Sequence, residues 1–300
     1  MDAAILSLEP RHGAAGLPFG TPPTADEAVL DRLCLTALHH EASAWPKPGL
    51  VTPRDAGSHA DMDIDTFLRS IDSLHGTFSR MARAGAAGAS FPELQAIGVA
   101  AEARMLRATG GINTHRGAIF NLGLLVAAAA LRSRRADLLG LSCGEVVAHV
   151  WGEEIGAARR NSPASHGNAV FRRYASGGAR AEAMGGFPTV YRFGVPTLRR
   201  LLADGHERQT ALIGTLLALL ERVDDSNLLW RGGVAGLRFA QAAARRFNRA
   251  GGVAQDDWRA ALCAMHAEFV ARNLSPGGSA DLVAAAWVAC RLDDGHAPRQ

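Results

Sequence analysis

Residues 110–123 read G-G-I-N-T-H-R-G-A-I-F-N-L-G, a polar turn that runs directly into an apolar segment. The two glycines predict the end of one helix, because glycine readily adopts the positive φ of a helix C-terminus. Asn113 or Thr114 is suited to cap the next helix, with His115 and Arg116 in its first turn. Free backbone N–H groups there favour an anion such as phosphate, although an ordinary capped core helix gives the same pattern.

The segment from Gly117 to Leu131 is apolar on almost every side, which predicts a buried helix. It is shorter than the roughly 20 residues that span a bilayer. Helical periodicity recurs in residues 24–41, 67–81, 91–109, 142–160, 207–223, 234–250 and 256–273. Since no segment shows sustained strand alternation, we predict an all-α fold, a single globular multi-helix domain with polar loops at helix termini forming a cleft.

The domain boundaries follow from local composition. Residues 1–23 are rich in Pro, Gly and Ala without periodicity, which predicts a flexible N-terminal arm. An all-helical catalytic domain is expected over residues 24–292, followed by a C-terminal tail over residues 293–300. No Pro/Ser-rich linker divides the chain.

Composition excludes several classes of protein. The four cysteines are far apart with no C-x-x-C pair, which indicates neither a zinc site nor a disulfide framework. Asp2 and Glu9 occupy an N-terminus that lacks a long apolar run, so we expect a cytoplasmic protein without a secretory signal. The net charge of +3 is too small to indicate nucleic-acid binding, and no membrane association is expected.

Lys47 is the single lysine among 32 basic residues. It lies in W-P-K-P-G-L-V-T-P at residues 45–53, where the prolines predict a rigid loop. Either a compact ammonium is required at this position, or the lysine is retained by chance. A P-loop is excluded, because its lysine follows glycine and Lys47 follows proline.

Charged and polar side chains occur where helices begin or end. Glu41 and Glu102 fall on apolar helix faces, so each needs a partner, a metal ion or a wet cleft, and a structural ion pair is one such outcome. Four helix ends carry further polar clusters: His59/Asp61, Asn113/His115/Arg116, Asp225/Asn227/Arg231 and Ser279/Asp281. If these ends converge, carboxylates for Mg²⁺ and cations for phosphate share one cleft, which indicates a Mg²⁺-bound polyphosphate.

Ordered motifs extend this pattern from about Glu41 to Leu282. They are P-K-P-G-L-V at 46–51, H-A-D-M at 59–62, A-E-A-R-M at 101–105, N-T-H-R-G-A-I-F at 113–120, G-F-P at 186–188, D-S-N at 225–227, R-G-G at 231–233 and S-P-G-G-S-A-D-L at 275–282. With these motifs the sequence resembles the triphosphoribosyl-dephospho-coenzyme A synthases. That family makes the prosthetic-group precursor for the acyl-carrier subunits of citrate lyase and malonate decarboxylase. Arg116, where citrate-type members usually have lysine, favours the malonate branch, and Ala181 replaces a common glycine.

The resemblance implies a glycosyl transfer. The ribose 2′-hydroxyl of 3′-dephospho-CoA attacks C1 of the ATP ribose, adenine leaves and the triphosphate is kept. An oxocarbenium-like transition state calls for a carboxylate base, for which Glu41 and Glu102 are the candidates. An α linkage is reached by a single inverting displacement, which needs no covalent nucleophile.

The resemblance also suggests a role for each polar residue. Catalysis is assigned to Glu41, Glu102 and His115, and Mg²⁺ binding to Asp61, Asp225 and Asp281. Lys47, His115, Arg116 and Arg231 are the expected triphosphate contacts. The remaining predicted substrate-binding residues are His59, Asn113, Thr114, Arg180, Asn227, Gly277, Gly278 and Ser279.

The implied ligands are ATP with Mg²⁺ and 3′-dephospho-CoA. Implied protein partners are the acyl-carrier subunit or its phosphoribosyl-dephospho-CoA transferase, and a homodimer is one option for the assembly. Two other functions fit the same residues. One is a Mg²⁺-dependent glycohydrolase of ADP-ribose type, and the other is a non-catalytic adaptor for a carrier protein.

Overall fold

The computed structural model describes residues 24–160 and 177–294. The predicted arm over residues 1–23 lies outside the described residues, as do residues 295–300 of the tail predicted over 293–300; residue 293 is the last residue of the final helix. Within the described part there are helices and no β-strand, which confirms the all-α prediction. None of these helices is long and apolar enough to cross a membrane.

Twelve α-helices follow one another in the described segments. They are α1 (Ala25–Ser43), α2 (Ile64–Ser73), α3 (Thr77–Ala86), α4 (Phe91–Ala108), α5 (Arg116–Arg132), α6 (Cys143–Arg160), α7 (Gly178–Met184), α8 (Val195–Ala203), α9 (Arg208–Leu220), α10 (Ser226–Arg249), α11 (Trp258–Ala271) and α12 (Gly277–Asp293). Short 3₁₀ turns occupy Ala136–Leu138 and Gly252–Ala254, and a π-helical turn, Val190–Gly194, leads into α8.

Helix α5 lies at the centre of the core, as its apolar sequence predicts. It contacts α3, α4, α6 and α12, and most of its side chains are buried. Helix α3 approaches it closely at Gly85, where a Cβ atom would overlap the backbone of Ala127. Glycine is therefore required at this crossing, since only a missing side chain lets the two backbones pack this tightly.

Helix ends were predicted with mixed success. The capping boxes Thr24–Glu27 and Ser142–Glu145 are both present. The apolar stripe over residues 67–81 is divided between α2 and α3, because Gly76 adopts a φ of 74° and starts a new helix. The pattern predicted over residues 234–250 extends back to Ser226, with a kink at Gly233, where φ is 60°.

One end of the helix bundle collects the predicted polar residues. The N-termini of α5, α10 and α12 meet there beside the C-terminus of α1, and the loop from residue 44 to residue 63 closes one side. The arrangement gives a cleft of about 1460 Å³. The first turn of α5 lines this cleft, so the central helix positions the site as well as the core.

Candidate active site

The cleft brings together the predicted site residues that are distant in sequence. Sixteen of them line it: Glu41, Lys47, His59, Asp61, Glu102, Asn113, Thr114, His115, Arg116, Arg180, Asp225, Asn227, Arg231, Gly277, Gly278 and Asp281. Ser279 lies beneath the surface, completely buried. The four helix-end clusters therefore share one cavity.

Lys47 and Glu41 form an ion pair in the wall of the cleft. The Lys47 Nζ lies 2.7 Å from Glu41 Oε1 and donates to the Glu41 carbonyl oxygen at 2.6 Å. Only 3% of the Lys47 side chain is exposed. Its ammonium also lies at the C-terminus of α1, where the helix dipole favours a positive charge. The single lysine thus neutralises both a carboxylate and a helix end.

Glu102 and Arg116 form a second carboxylate–cation pair, on the opposite side of the first turn of α5. Arg116 Nε donates to Glu102 Oε1 at 2.6 Å. Arg116 is exposed to the cleft and Glu102 is half-buried. Both candidate bases are therefore paired with cations that were predicted to contact the triphosphate.

Asp225 joins the N-termini of α10 and α12. Its Oδ1 accepts from the backbone N–H groups of Asn227 and Leu228, and its Oδ2 accepts from the backbone N–H and hydroxyl of Ser279. Ser279 lies in the first turn of α12, which begins two residues earlier, at Gly277. These four hydrogen bonds fill the acceptor sites of a carboxylate, so direct metal binding by Asp225 would require it to release one.

Asp281 presents a carboxylate to the cleft with much less support. It accepts a hydrogen bond from the Ala118 backbone N–H at the start of α5, and no cation of the described residues pairs with it. It packs against Gly117, where a Cβ would collide with its carboxylate. Burial raises its pKa well above the usual range, and the negative charges of Glu41 and Asp225 raise it further.

His115 occupies the N-cap position of α5, one residue before the helix rather than in its first turn. The Thr114 hydroxyl donates to Ser70 Oγ at 2.6 Å, and Ser70 Oγ lies 2.7 Å from His115 Nδ1. Ser70 accepts the Thr114 proton, which leaves its own proton free for Nδ1, and we infer from this orientation that the ring proton is on Nε2.

The Nε2–H group of His115 has no partner within the described chain, although the residue is only 3% exposed. Burial lowers its pKa to about 3, with the positive charge of Lys47 adding to the effect. The ring is therefore neutral at physiological pH and presents a hydrogen-bond donor at the cleft. Asn113, predicted as a cap, accepts from the Arg116 N–H at 3.2 Å.

Arg231 and His59 link two loops at the mouth. Arg231 donates to the Ser58 carbonyl at 2.7 Å and contacts His59 Nδ1 at 3.1 Å, and His59 Nε2 lies 2.9 Å from Ser275 Oγ. Burial and the neighbouring Arg231 charge lower the pKa of His59 to about 4. Asp61 lies beside this pair with 62% of its side chain exposed. Arg231 thus holds the loop as well as lining the cleft.

The remaining predicted residues occupy the rim. Asn227 and Gly277 are in contact distance of each other across the ends of α10 and α12, and Gly278 lies over Asp225. Arg180 lies on α7, half-buried in the same cleft. Among residues 24–160 and 177–294, no group of three His, Cys, Asp or Glu side chains is arranged to hold a metal ion.

Two buried polar residues were not predicted from the sequence: Asn121, which lines the cleft, and Ser70, which contacts His115. Ser70 and Asn121 are both buried and both contribute polar atoms to this region. Ser70 lies in an amphipathic helix and Asn121 in an apolar one, so neither belongs to a polar cluster at a helix end. The one available signal was a lone amide in the otherwise apolar segment 117–131.

The fold and the cleft together define a helical protein whose site pairs carboxylates with cations at helix termini, a site suited to a polyphosphate ester. A sequence model of the family described as ATP:dephospho-CoA triphosphoribosyl transferase matches residues 27–300. The chain belongs to this family. No solved structure matches it.

Relatives are similar over most of their length. A protein of Klebsiella pneumoniae named 2-(5''-triphosphoribosyl)-3'-dephosphocoenzyme-A synthase is 40% identical over 279 residues, 89% of this chain and 91% of that protein. Proteins with the same name, marked probable, are 40% identical in Pseudomonas fluorescens and 39% identical in Acinetobacter calcoaceticus. Those alignments cover 96% and 85% of this chain and 98% and 87% of the relatives.

Proposed function

We propose that the protein joins the 5-triphosphoribosyl group of ATP to the 2′-hydroxyl of 3′-dephospho-CoA with release of adenine. One observation carries the proposal beyond family membership. The cleft combines two carboxylate–cation pairs, Glu41–Lys47 and Glu102–Arg116, with the exposed N-terminal turn of α5. Acid–base groups and anion-binding groups are thus within one cavity, as a transfer between two phosphorylated substrates requires.

The triphosphate is assigned to the cationic side of the cleft. Arg116 projects from the first turn of α5, where the positive end of the helix dipole favours phosphate oxygens. Lys47 and Arg231 also line the cleft and provide further positive charge. Arg116 is exposed and can turn from Glu102 to a phosphate.

A divalent cation, with Mg²⁺ the expected one, fits the acidic side. Asp281 lies close enough to Glu41 and Asp225 to raise its pKa, and no described cation pairs with it. Magnesium ions are held by one or two carboxylates together with substrate phosphates. Asp281 would hold the ion together with the substrate phosphates, and either Asp61 or, after release of a hydrogen bond, Asp225 would add a second carboxylate. Bound there, the ion supplies charge neutralisation for the triphosphate.

The chemistry requires a base for the attacking hydroxyl. Its oxygen forms a bond to C1′ of the ATP ribose while the C1′–N9 bond breaks with its electron pair going to adenine. Glu41 or Glu102 takes the hydroxyl proton, and the adenine is protonated on release. His115, neutral with a proton on Nε2, donates a hydrogen bond to a substrate oxygen or nitrogen rather than carrying charge.

Measuring adenine release with ATP and Mg²⁺, with and without 3′-dephospho-CoA, tests the proposal. We expect release only with the acceptor, together with a triphosphoribosyl adduct identified by mass spectrometry. Release without the acceptor would establish the glycohydrolase instead. No release under either condition would support the adaptor.

Replacing each candidate base separates Glu41 from Glu102. If Glu41 is the base, Glu41→Gln should slow adenine release by ~10²–10⁴-fold with ATP binding intact. If Glu102 is the base, Glu102→Gln should have this effect instead. The other variant serves as the matched control, since it also leaves a cation without its partner. Full activity in both would exclude both carboxylates from this role.

We further propose that the product serves the malonate decarboxylase branch in the cytoplasm, on the evidence of Arg116 in N-T-H-R-G. The expected recipients are the acyl-carrier subunit or its phosphoribosyl-dephospho-CoA transferase. A homodimer is the proposed assembly. Transfer of the purified product to malonate-type and citrate-type carrier subunits tests the branch, and light scattering tests the dimer.

A further inference from the structure

Asn121 is a buried amide whose polar atoms are unused. It lies on α5, one helical turn beyond Gly117, and its side chain lines the cleft. The residue is 1% exposed. Its side-chain amide makes no hydrogen bond to any part of the chain that the structure describes.

Such a group is costly unless a ligand or a bound water molecule satisfies it. A buried donor or acceptor without a partner costs about 1–3 kcal/mol, and folded proteins contain few of them. Thr215, a completely buried polar residue on α9, shows the usual solution, because its hydroxyl donates to the Ala211 carbonyl at 2.8 Å. Asn121 lacks any such local partner and faces a cavity.

The surroundings of Asn121 describe the shape of its ligand. Apolar side chains of three helices line the same part of the cleft: Met81, Phe91, Leu94, Phe120 and Leu124. In the other direction, Gly117 and the Asp281 carboxylate lie one turn away, about 6 Å along the helix axis. A ligand there has flat apolar faces, a polar edge and a position next to the acidic groups.

We infer that Asn121 recognises the adenine of ATP, an inference that rests on the proposed function. Its Oδ1 accepts from the exocyclic N6 amino group and its Nδ2 donates to N7, the pairing by which asparagine reads adenine in nucleic acids. Guanine presents an oxygen in place of the amino group, so it is rejected. Asn121 therefore determines the nucleobase specificity of the site.

The same contact assists the departure of the base. When the C1′–N9 bond breaks, its electron pair is delocalised over the adenine ring system, including N7. A donor at N7 stabilises this charge before the ring is protonated, and it does so in a water-poor environment where hydrogen bonds are stronger. The acceptor hydroxyl supplies the proton that adenine finally carries.

Competition binding tests the assignment. The affinities of the wild-type protein and of Asn121→Leu are measured for ATP, for 7-deaza-ATP, which lacks the N7 acceptor, and for GTP. We expect the wild type to prefer ATP to 7-deaza-ATP by roughly 3- to 10-fold and to GTP by roughly 10- to 100-fold. In Asn121→Leu the preference for ATP over 7-deaza-ATP should disappear. The substitution of Asn121 and the loss of N7 from the ligand each remove the same hydrogen bond.

Controls separate recognition from folding. Thr215→Val removes a buried polar group outside the cleft and should keep the wild-type ratio of affinities. Asn121→Ser, whose side chain is too short to reach the base, should lose the ratio as Asn121→Leu does, and it covers the case in which the leucine variant does not fold. A preference for ATP over 7-deaza-ATP that survives in both Asn121 variants would overturn the inference.

The activity of the wild type distinguishes the two levels of the argument. If the wild type does not release adenine in the presence of 3′-dephospho-CoA, the proposed function fails, and the adenine assignment fails with it. If the wild type is active and its ratio of affinities does not depend on Asn121, only the recognition assignment fails.

Discussion

Two buried ion pairs in this protein have the same chemistry and different surroundings. Arg132 and Asp293 lie 2.6 Å apart at the C-termini of α5 and α12, the two helices whose N-termini line the cleft. Glu41 and Lys47 lie 2.7 Å apart in the wall of the cleft. Each pair is less than a tenth exposed, so burial does not distinguish a structural pair from a site pair.

The surroundings of Arg132 are saturated with hydrogen bonds. Arg132 also donates to the carbonyl oxygens of Leu141 and Leu292, and Asp293 accepts from the Cys143 N–H and the Tyr191 hydroxyl. No side-chain atom of this network is without a partner. It fastens α5, α6 and α12 to one another and offers nothing to a ligand.

The cleft that contains the Glu41–Lys47 pair has polar atoms without hydrogen-bond partners among the residues that the structure describes. His115 Nε2 and Asn121 Oδ1 have no partner in the described chain, and Asp281 faces two other carboxylates. A network that serves the fold uses all its donors and acceptors, because each unused one reduces stability. The cleft keeps some of these atoms in reserve for a ligand, whereas the Arg132–Asp293 network keeps none of its buried ones within the described segments.

Breaking the saturated pair should give the largest loss of stability. Arg132→Met leaves Asp293 buried with one cation fewer, and removal of one partner of a buried pair typically costs about 3–5 kcal/mol. Urea unfolding at pH 7 measures this free energy. The folded fraction should keep its rate of adenine release within about twofold.

The double variant Arg132→Met/Asp293→Leu provides the control. Removing both charges leaves no unpaired ion, so it should be more stable than Arg132→Met alone. A loss of activity larger than the loss of folded protein would mean that this network also shapes the cleft.

Breaking the cleft pair should act on activity. Lys47→Met removes the charge expected at the triphosphate, and kcat/KM for adenine release should fall by ~10²–10³-fold, the range found for single groups that stabilise developing charge. Stability should fall less than in Arg132→Met, since water and cations reach Glu41 through the cleft. Arg200→Met, which removes an exposed arginine, is the matched control and should change neither quantity. A stability loss equal to that of Arg132→Met would contradict the distinction between a structural ion pair and an ion pair of the site.

Much of this comparison could be predicted from the sequence, and part of it could not. Glu41 on an apolar face and Lys47 in a proline-rich loop were recognisable, because such charges need an explanation wherever they occur. The pairing of Glu41 with Lys47 could not be predicted, because sequence spacing does not show which residues a loop brings into contact. The all-α class followed from periodicity, and the break at Gly76 did not, since a glycine within a helical pattern is ambiguous.

Roles of individual atoms were harder still. The motif D-S-N identified Asp225, but only the structure shows that both its oxygens cap helices. Ser70 and Asn121 looked like ordinary residues of two helices. Ser70 matters because it hydrogen-bonds to His115, and Asn121 matters because its Oδ1 has no partner in the described chain. Neither property can be predicted from the periodicity of the sequence.

The pH dependence of stability should distinguish the two regions. The pKa of folded His115 is about 3, whereas an unfolded histidine takes up its proton near 6.5. Its contribution is therefore complete above pH 6.5 and is lost as the pH falls, by about 2 kcal/mol between pH 7 and pH 5. In the saturated network, burial raises the pKa of Tyr191, so it adds nothing in this range.

Urea unfolding of the wild type and of His115→Gln at several pH values checks this dependence. The difference in free energy between the two should shrink as the pH falls from 7 to 5. His75→Gln, at an exposed histidine, should follow the wild type. A constant difference for His115→Gln would show that folding does not lower the pKa of His115.

The smallest test removes one hydroxyl from each region. Thr114→Val deletes the donor to Ser70, frees Ser70 from its single orientation and so allows His115 to exchange tautomers. We expect kcat to fall roughly 3- to 10-fold, equivalent to about 1 kcal/mol, and ¹⁵N NMR to show the His115 ring leaving the pure Nε2–H form. Thr114→Ser should restore both.

Tyr191→Phe deletes a donor to Asp293 and should cost a similar free energy in unfolding while kcat stays unchanged. If both variants lowered stability alone, His115 would be a core histidine, and the unpartnered Nε2–H would have no bearing on the reaction.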